Sequence, residues 1–506
     1  MDSRVTPPQL NYDNILPLAI ESRSNRREFL PVNGQSFSNS NGATIIRIDV
    51  NADSMLDASH SYLECNIRND NATAKTALAL NPFSPSWIQR LRIESAGVVL
   101  EDINEYSRLY SMLSLNQCPE GYIKNNYANM GMYRPEKSPN LQSTGAVVSS
   151  STTGAAIANG TISSQDVNEL HYPTSGQGQV KGQSSTTITG HPADGAANRM
   201  TTTGATFQTS ENRIAGGASF TMCIPLVSGW LNMDRYIPLV MMNAGFTIEL
   251  TLCDANRIGM TLAEVHDADQ GTGVASAWTI DAVKYVAHLI DLDRSFYDRL
   301  RMVMEQTSGS VLQLAGQTYR HYVGDLPGPA SEYTITLPAR VKSVKSIFGT
   351  FLTATQMGNI LNYDTSVFQT GGLTDFRFEI GSVRYPQTNV KCNTREFLVE
   401  LMKAWGKLGD YQHQQAFQHK HCENLESART GASVKDSMLS AFTIGYDFEA
   451  FARVALEAGI NTADRSLPIN FICTKALTTG NVRADFFVLL DAIYYINLDG
   501  SASVSH

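Results

Sequence analysis

The chain has 506 residues and a mass of 55.4 kDa, too long for one small domain, so two or three domains are expected. Hydrophobic residues make up 42% and charged residues 17%, the balance of a soluble globular protein with little charge to spare. A formal net charge of -9 and a pI near 5.6 exclude nucleic-acid binding driven by the charge of the whole molecule, and only a local basic arm keeps that role open.

The seven cysteines, Cys65, Cys118, Cys223, Cys253, Cys392, Cys422 and Cys473, form no Cys-x-x-Cys pair and lie mostly among apolar neighbours. They read as buried free thiols of a protein folded in a reducing compartment. Residues 1–8 show neither an apolar core nor a cleavage pattern, so no secretory signal is expected. No apolar run approaches the ~20 residues that span a bilayer. The sequons at Asn71 and Asn159 are therefore expected to stay unglycosylated.

Residues 1–36 form a polar arm with one basic knot, Arg23, Arg26 and Arg27. Its apolar periodicity is too weak for it to fold alone, so the arm is disordered or ordered by a neighbour. It reads either as a tether touching other subunits or negatively charged contents, or as a solvated tail. Strands begin at 44–50, where apolar and polar residues alternate, and continue over 61–67. Segments 87–93 and 98–100 flank the turn Ser95-Ala96-Gly97, a hairpin signal. A helix is expected next, with Ile103, Tyr106, Leu109, Tyr110 and Leu113 along one face.

From about 140 to 217 the chain is Ser, Thr, Gly and Ala with very few charges. A loop of this length inside a compact domain is either functional or disordered, and its neutrality would let copies pack against one another. Strands resume at 218–224 and 245–252, joined through 230–239. The run 282–290 reads as a strand, and Phe296, Leu300, Val303 and Met304 then fall at helical spacing behind Asp293, an N-cap candidate. This strand and helix divide the chain into halves that read alike.

The second half has strands at 333–337, 341–351 and 376–380. Its helix starts at Asn393 with Glu396 three residues on, like a capping box. Phe397, Leu398, Leu401, Met402 and Trp405 make its apolar face, and Gly406 stops it. The final strands are 441–444, 469–473 and 484–496, the last apolar on both sides as in a strand buried within a two-sheet sandwich. Short strands set apart by Gly, Pro, Asn and Ser on both sides of the divider predict an all-β chain of two tandem domains.

Little here carries chemistry. The run Gly176-Gln177-Gly178-Gln179-Val180-Lys181-Gly182 has one residue too many for a dinucleotide loop and lacks the strand–turn–helix setting. His413, His419, His421 and Cys422 lie close enough to suggest zinc, but their spacing fits no standard site and the stretch reads as a Gln/His-rich polar loop. No Asp/Glu pair stands out for sugar hydrolysis. No catalytic, cofactor-binding or metal-binding residue is assigned, no cofactor is expected, and the chain reads as a builder of surfaces rather than an enzyme.

Several stretches, taken in order, resemble the double jelly-roll major capsid proteins of icosahedral double-stranded DNA viruses, a group that spans nucleocytoplasmic large DNA viruses, virophages and Polinton-like elements. They are 230–252 with its Ile237-Pro238-Leu239 step, the strand-to-helix linker 288–296, segments 337–348 and 380–386, Gly445-Tyr446-Asp447-Phe448-Glu449, and 490–494 with Asp499-Gly500. Arg294-Ser295-Phe296 lacks the basic cluster of the large-virus branch, which points to a smaller or divergent branch.

The resemblance implies two tandem eight-stranded jelly rolls with short helices and long surface loops. The divisions expected are an arm at 1–36, a first roll at 37–292 with the insert at about 140–217, a linker helix at 293–310 and a second roll at 311–506. It further implies a homotrimer of pseudo-hexagonal outline that tiles the capsid of a virion made inside the host cell. The insert would form an outer tower at the threefold axis. Neighbouring capsomers and minor or penton proteins would be partners, and the arm would face inward toward them or toward an internal membrane. No sequence-specific nucleic-acid binding follows. The competing reading from another class is a carbohydrate-binding or carbohydrate-active β-sandwich, which would need an Asp/Glu pair facing an aromatic-lined cleft.

Overall fold

The computed structural model describes residues 21–132 and 214–506, except 39–43, 72–75, 81–82, 120–121, 128–129, 215–216, 234, 255–256, 264–270, 275–276, 307–310, 329–331, 354–364, 367, 411, 416–440, 451–457, 464–467 and 476–479. The low-charge insert up to residue 213, with the Gly176–Gly182 run and Asn159 in it, lies outside the described residues, as do His419, His421 and Cys422.

The first half supplies β1 (Ser22–Phe29), β2 (Ile45–Val50), β3 (Met55–Asn69), β4 (Ile88–Ser95), β5 (Val98–Asn104), α1 (Tyr106–Gln117), β6 (Ser219–Ile224), β7 (Phe246–Leu252) and β8 (Trp278–Leu292). One sheet runs β1-β8-β3-β6 and the other β2-β7-β4-β5, with short strands added at the margins. After α2 (Arg294–Gln306) come β9 (Val311–Leu326), β10 (Glu332–Leu337), β11 (Val344–Thr353), β12 (Leu373–Ile380), β13 (Val383–Lys391), α3 (Glu396–Ala404), β14 (Thr443–Asp447), β15 (Ile469–Lys475) and β16 (Val482–Asn497). Their sheets run β9-β16-β11-β14 and β10-β15-β12-β13, the first-half order repeated strand for strand. Two antiparallel four-stranded sheets with this order make a jelly roll, and the chain is a double jelly roll. Each roll carries its helix, α1 or α3, at the same place in the order.

The sandwiches close over alternating apolar residues. Strand β2 turns Ile46, Ile48 and Val50 inward and its other residues out. The second core is aromatic: Phe471 of β15 and Phe486 of β16, from opposite sheets, have ring centroids 4.7 Å apart, and Phe351, Phe376 and Phe378 surround them. Pairs of this kind contribute about 0.5–1.5 kcal/mol each beyond the area they bury.

Local rules explain several turns and caps. The β4–β5 hairpin turns through Ala96 at φ 48 and Gly97 at φ 84, and two positive φ values in succession are what a two-residue turn needs to match the strand twist. Asp293 caps α2 as expected, its Oδ2 accepting the Ser295 N–H at 3.0 Å. The start of α3 differs from expectation. Thr394 Oγ1, not Asn393, accepts the Glu396 N–H at 3.2 Å, and Glu396 Oε2 reaches back to the Lys391 N–H at 3.2 Å. Gly406, at φ 60, closes α3, and the Lys407 N–H bonds the Met402 carbonyl at 2.7 Å in the usual glycine-terminated pattern.

Two further expectations need correction. The polar arm is not an arm from Ser22 onward. Residues Ser22–Phe29 are the first strand of the first roll and pair with β8 from Ser22 against Leu292 to Phe29 against Tyr285, so the neighbour that orders them is their own chain. The helix expected from Ile103 begins at Tyr106, and Ile103 is a buried residue of β5. Nor does α1 have one buried face: every residue from Tyr106 to Asn116 is buried. Part of that cover comes from the second roll, where Arg108 faces Asp485 and the Asn116 carbonyl meets His413.

Candidate assembly site

The rolls meet where β5 and α1 of the first press on β9 and β16 of the second. Backbone contact comes first. A Cβ on Gly229 would stand 2.5 Å from the Gln317 carbonyl oxygen, and one on Gly316 would stand 2.8 Å from the Gly229 oxygen. Only glycine permits chains this close. Beside this contact the Trp230 ring stands edge-on to Tyr494 of β16, with centroids 5.0 Å apart.

Glu101 of β5 is fully enclosed at this point. Its carboxylate accepts the Gly229 N–H at 2.8 Å and the hydroxyls of Ser228 and of Thr318 on β9, so one group binds both rolls. Burial pushes its carboxyl up, and these hydrogen bonds offset that only in part.

Four residues further on, Glu105 holds the start of α1 at φ 51 and makes a paired contact with Arg257 at 2.9 and 3.2 Å. It also accepts from Arg483 of β16 at 3.2 Å. Burial would raise this carboxyl, but Arg257, Arg108 and Arg483 outweigh it and bring it down to about 2. Arg108, buried in α1, faces Asp485 of β16 at 3.3 Å. Asp485 also meets His321 of β9 at 2.9 Å and Arg483 at 2.8 Å. Burial works against its charge, yet Arg108, His321 and Arg483 hold its carboxyl far below the usual range. Carboxylates and guanidiniums from both rolls thus share one largely buried network. Such a network contributes little net stability over an apolar seam, but losing one member leaves a buried charge uncompensated.

A cleft of about 570 Å³ opens beside the seam, lined by Tyr110, Tyr127, Gln317 and Tyr319 among others, with no carboxylate among the described residues of its wall. That lining therefore lacks the Asp/Glu pair that the carbohydrate reading requires.

His413 Nε2 lies 3.0 Å from the Asn116 carbonyl at the end of α1, another tie between the rolls. Among the described residues no group of three or more His, Cys, Asp and Glu could hold a metal ion. Six cysteines are described and are free thiols, with Cys65, Cys253, Cys392 and Cys473 buried. Of the basic knot, Arg26 reaches Glu28 at 3.2 Å, and Arg27 lies over the Phe29 ring at 4.9 Å from its centroid. Sequence reasoning misses the residues of the seam, because nothing local marks Glu101 or Asp485 as buried. The one signal is charge placed inside otherwise apolar runs, as at Asp485 before Phe486.

The two ends of the molecule differ from its middle. β1 is a sheet edge with exposed residues along nearly its whole length, followed by exposed Leu30 and Val32. At the other end α3 buries Phe397, Leu401 and Ala404, while Val399 and, just past the helix, Leu408 are 37% and 47% exposed.

No family model and no curated protein matches the sequence. Solved structures do match in fold. The Faustovirus major capsid protein aligns with a TM-score of 0.56 at 10% identity, over 97% of this chain and 92% of that one. The structure of PBCV-1 VP54 fitted into a reconstruction of the virophage Sputnik aligns at 0.54 and 9% identity, over 98% and 99%. The Sputnik virophage structure aligns at 0.51 and 11%, over 99% and 92%. At such identities the likeness is one of fold, and it runs the length of both chains: this protein shares the double jelly-roll architecture of those capsid structures.

Proposed function

We propose that this chain is the major capsid protein of an icosahedral double-stranded DNA virus, a structural protein that assembles as a homotrimer and tiles the virion shell. The observation that carries the reading is the seam. It joins two rolls of one topology into a single block, in a fold shared from end to end with capsid proteins. The seam also supplies a template for assembly. Within the chain, β5 of one roll meets β9, the first strand of the next, and α1 meets β16 beside it. The equivalent surfaces at the ends, the β13 and α3 side and β1, have no such cover among the described residues. A head-to-tail contact of α3 on β1 in a second copy repeats the internal contact, and it closes when three chains have brought six rolls into a ring. Neighbouring capsomers and minor proteins would then meet the outside of that ring.

Sedimentation of the purified chain, followed by electron microscopy of the peak, tests this. A trimer with a near-hexagonal outline is expected, its interfaces at or above the ~1,200–2,000 Å² of stable complexes. Folded monomers that keep full thermal stability at nanomolar concentration would overturn it.

A further inference from the structure

Three stretches of the second half, 343–345, 448–449 and 490–491, converge on one buried point that the seam and the trimer do not use. Lys345 sits where the β11–β16 register slips between Val344 and Ser346. Its carbonyl accepts the Phe448 N–H at 2.8 Å, which brings Glu449 alongside. The Lys345 Nζ lies 2.7 Å from Glu449 Oε1 and 3.4 Å from Asp491 Oδ1. Ser343 Oγ donates to the other Asp491 oxygen, Oδ2, at 2.7 Å and fixes that carboxylate with Oδ1 toward the amine. The Lys345 and Glu449 side chains are 6% and 9% exposed and that of Asp491 is 2%, so water has little access to the cluster. One cation on β11 stands between an anion on the adjoining β16 and another just past the end of β14.

We propose that Lys345 and Asp491 condense to a side-chain amide, an isopeptide bond between β11 and β16, with Glu449 as the proton carrier. The ammonium passes a proton to Glu449, and its freed lone pair attacks Cγ of Asp491. The Nζ–Cγ bond forms, and the Cγ–Oδ1 bond breaks. Of the three ammonium protons, one stays on the amide nitrogen and two leave with the Asp491 oxygen as water, Glu449 relaying them. One positive and one negative charge disappear together, nothing is oxidised or reduced, and no co-reactant is needed. Two physical effects drive the step. Fixed contact replaces a bimolecular encounter, an advantage that in well-oriented reactions reaches effective concentrations of about 10⁵–10⁸ M. Burial penalises the separated charges and not the amide that replaces them. The product would tie the last long strand of the chain to the middle of its sheet. This inference stands without the capsid reading.

Intact-mass spectrometry of the full-length chain, folded and then denatured, tests it beside Lys345→Arg, Glu449→Gln and Asp491→Asn. The wild type is expected one water lighter than its sequence, with protease digestion yielding a branched peptide that joins Lys345 to Asp491. Lys345→Arg and Glu449→Gln should keep full mass, whereas Asp491→Asn should lose ammonia in place of water. An imide at Asp499-Gly500 also sheds water, but it gives no branched peptide and persists in Lys345→Arg. A wild-type chain of full mass, or a water loss that maps elsewhere, overturns the proposal. The peptide map of the wild type decides even where a variant fails to fold.

Discussion

Helices α1 and α3 hold the same place in two rolls of the same topology, yet one is buried on every side and the other on one. The sequences differ to match. α1 carries Ser107, Arg108, Ser111 and Ser114 among its apolar residues, and each is buried: Arg108 faces Asp485 of the second roll, while Ser114 bonds the Phe83 carbonyl and Tyr127 of its own roll. α3 is plainly two-sided, with Glu400 and Lys403 paired to each other toward solvent at the helix surface. The difference teaches that a helix position in this fold is a contact surface whether or not its own chain fills it. In the middle of the molecule the partner is covalently attached, so a charged network can be made permanent. At the end the partner must come from elsewhere, and the surface has to remain soluble without it.

The comparison breaks most sharply at Arg108. Arg108→Ala would leave Asp485 buried beside a lost partner, and about 3–5 kcal/mol of stability should go with it, read by denaturant unfolding. Lys403→Ala on α3 removes an exposed pair and should cost less than about 0.5 kcal/mol. Equal losses from both would erase the distinction between seam and surface. Next in size is Gly229→Ala. The new methyl meets the Gln317 oxygen and forces the rolls apart, with an expected cost of about 1–3 kcal/mol in thermal melting. Gly97→Ala meets no atom and carries only the left-handed backbone penalty of about 1–2 kcal/mol.

Acid sharpens the contrast between two carboxylates of the seam. Glu105 has a folded pKa of about 2 against an ordinary 4.5, so its stabilisation is complete above 4.5 and is lost as pH falls toward 2. Glu101 is raised, so its contribution has the opposite sign: it favours the fold below the ordinary carboxylate range and declines as pH rises through the raised value. Melting curves across acid pH should flatten below 4.5 in Glu105→Gln, and an unchanged slope would remove Glu105 from the network. The smallest effect on the subunit belongs to Val399→Glu. Its own melt should move by no more than about 0.5 kcal/mol, as for other exposed sites, while the trimer fraction in sedimentation falls. An undiminished trimer would place the contact away from α3.

Elements with short-range causes are legible in the chain's own residue pattern. The β4–β5 turn is set by Ala96-Gly97, α2 by Asp293 and the apolar spacing behind it, and β16 by an apolar run long enough to be covered on both sides. Their partners are a few residues away or are simply the absence of water. The position of β1 is not legible in this way, because Ser22 to Glu28 are exposed and polar and show no alternation. It is a strand because β8 offers it a ladder of backbone partners, and a ladder is indifferent to side chains.

The interior charges are hidden for a related reason. Glu101 and Thr318 bond across 217 residues, and Glu105 and Arg483 across 378. A carboxylate in a strand looks the same in sequence whether it faces water or another roll. By itself the sequence determined two all-β halves, the hairpin and the helices, since alternation, turn residues and caps act over one or two turns of chain. The tertiary structure alone decided which helix is swallowed, which strand edge stays open and which charges are dry. Those outcomes depend on what lies across a contact, and the chain reaches that neighbour only by folding back from hundreds of residues away.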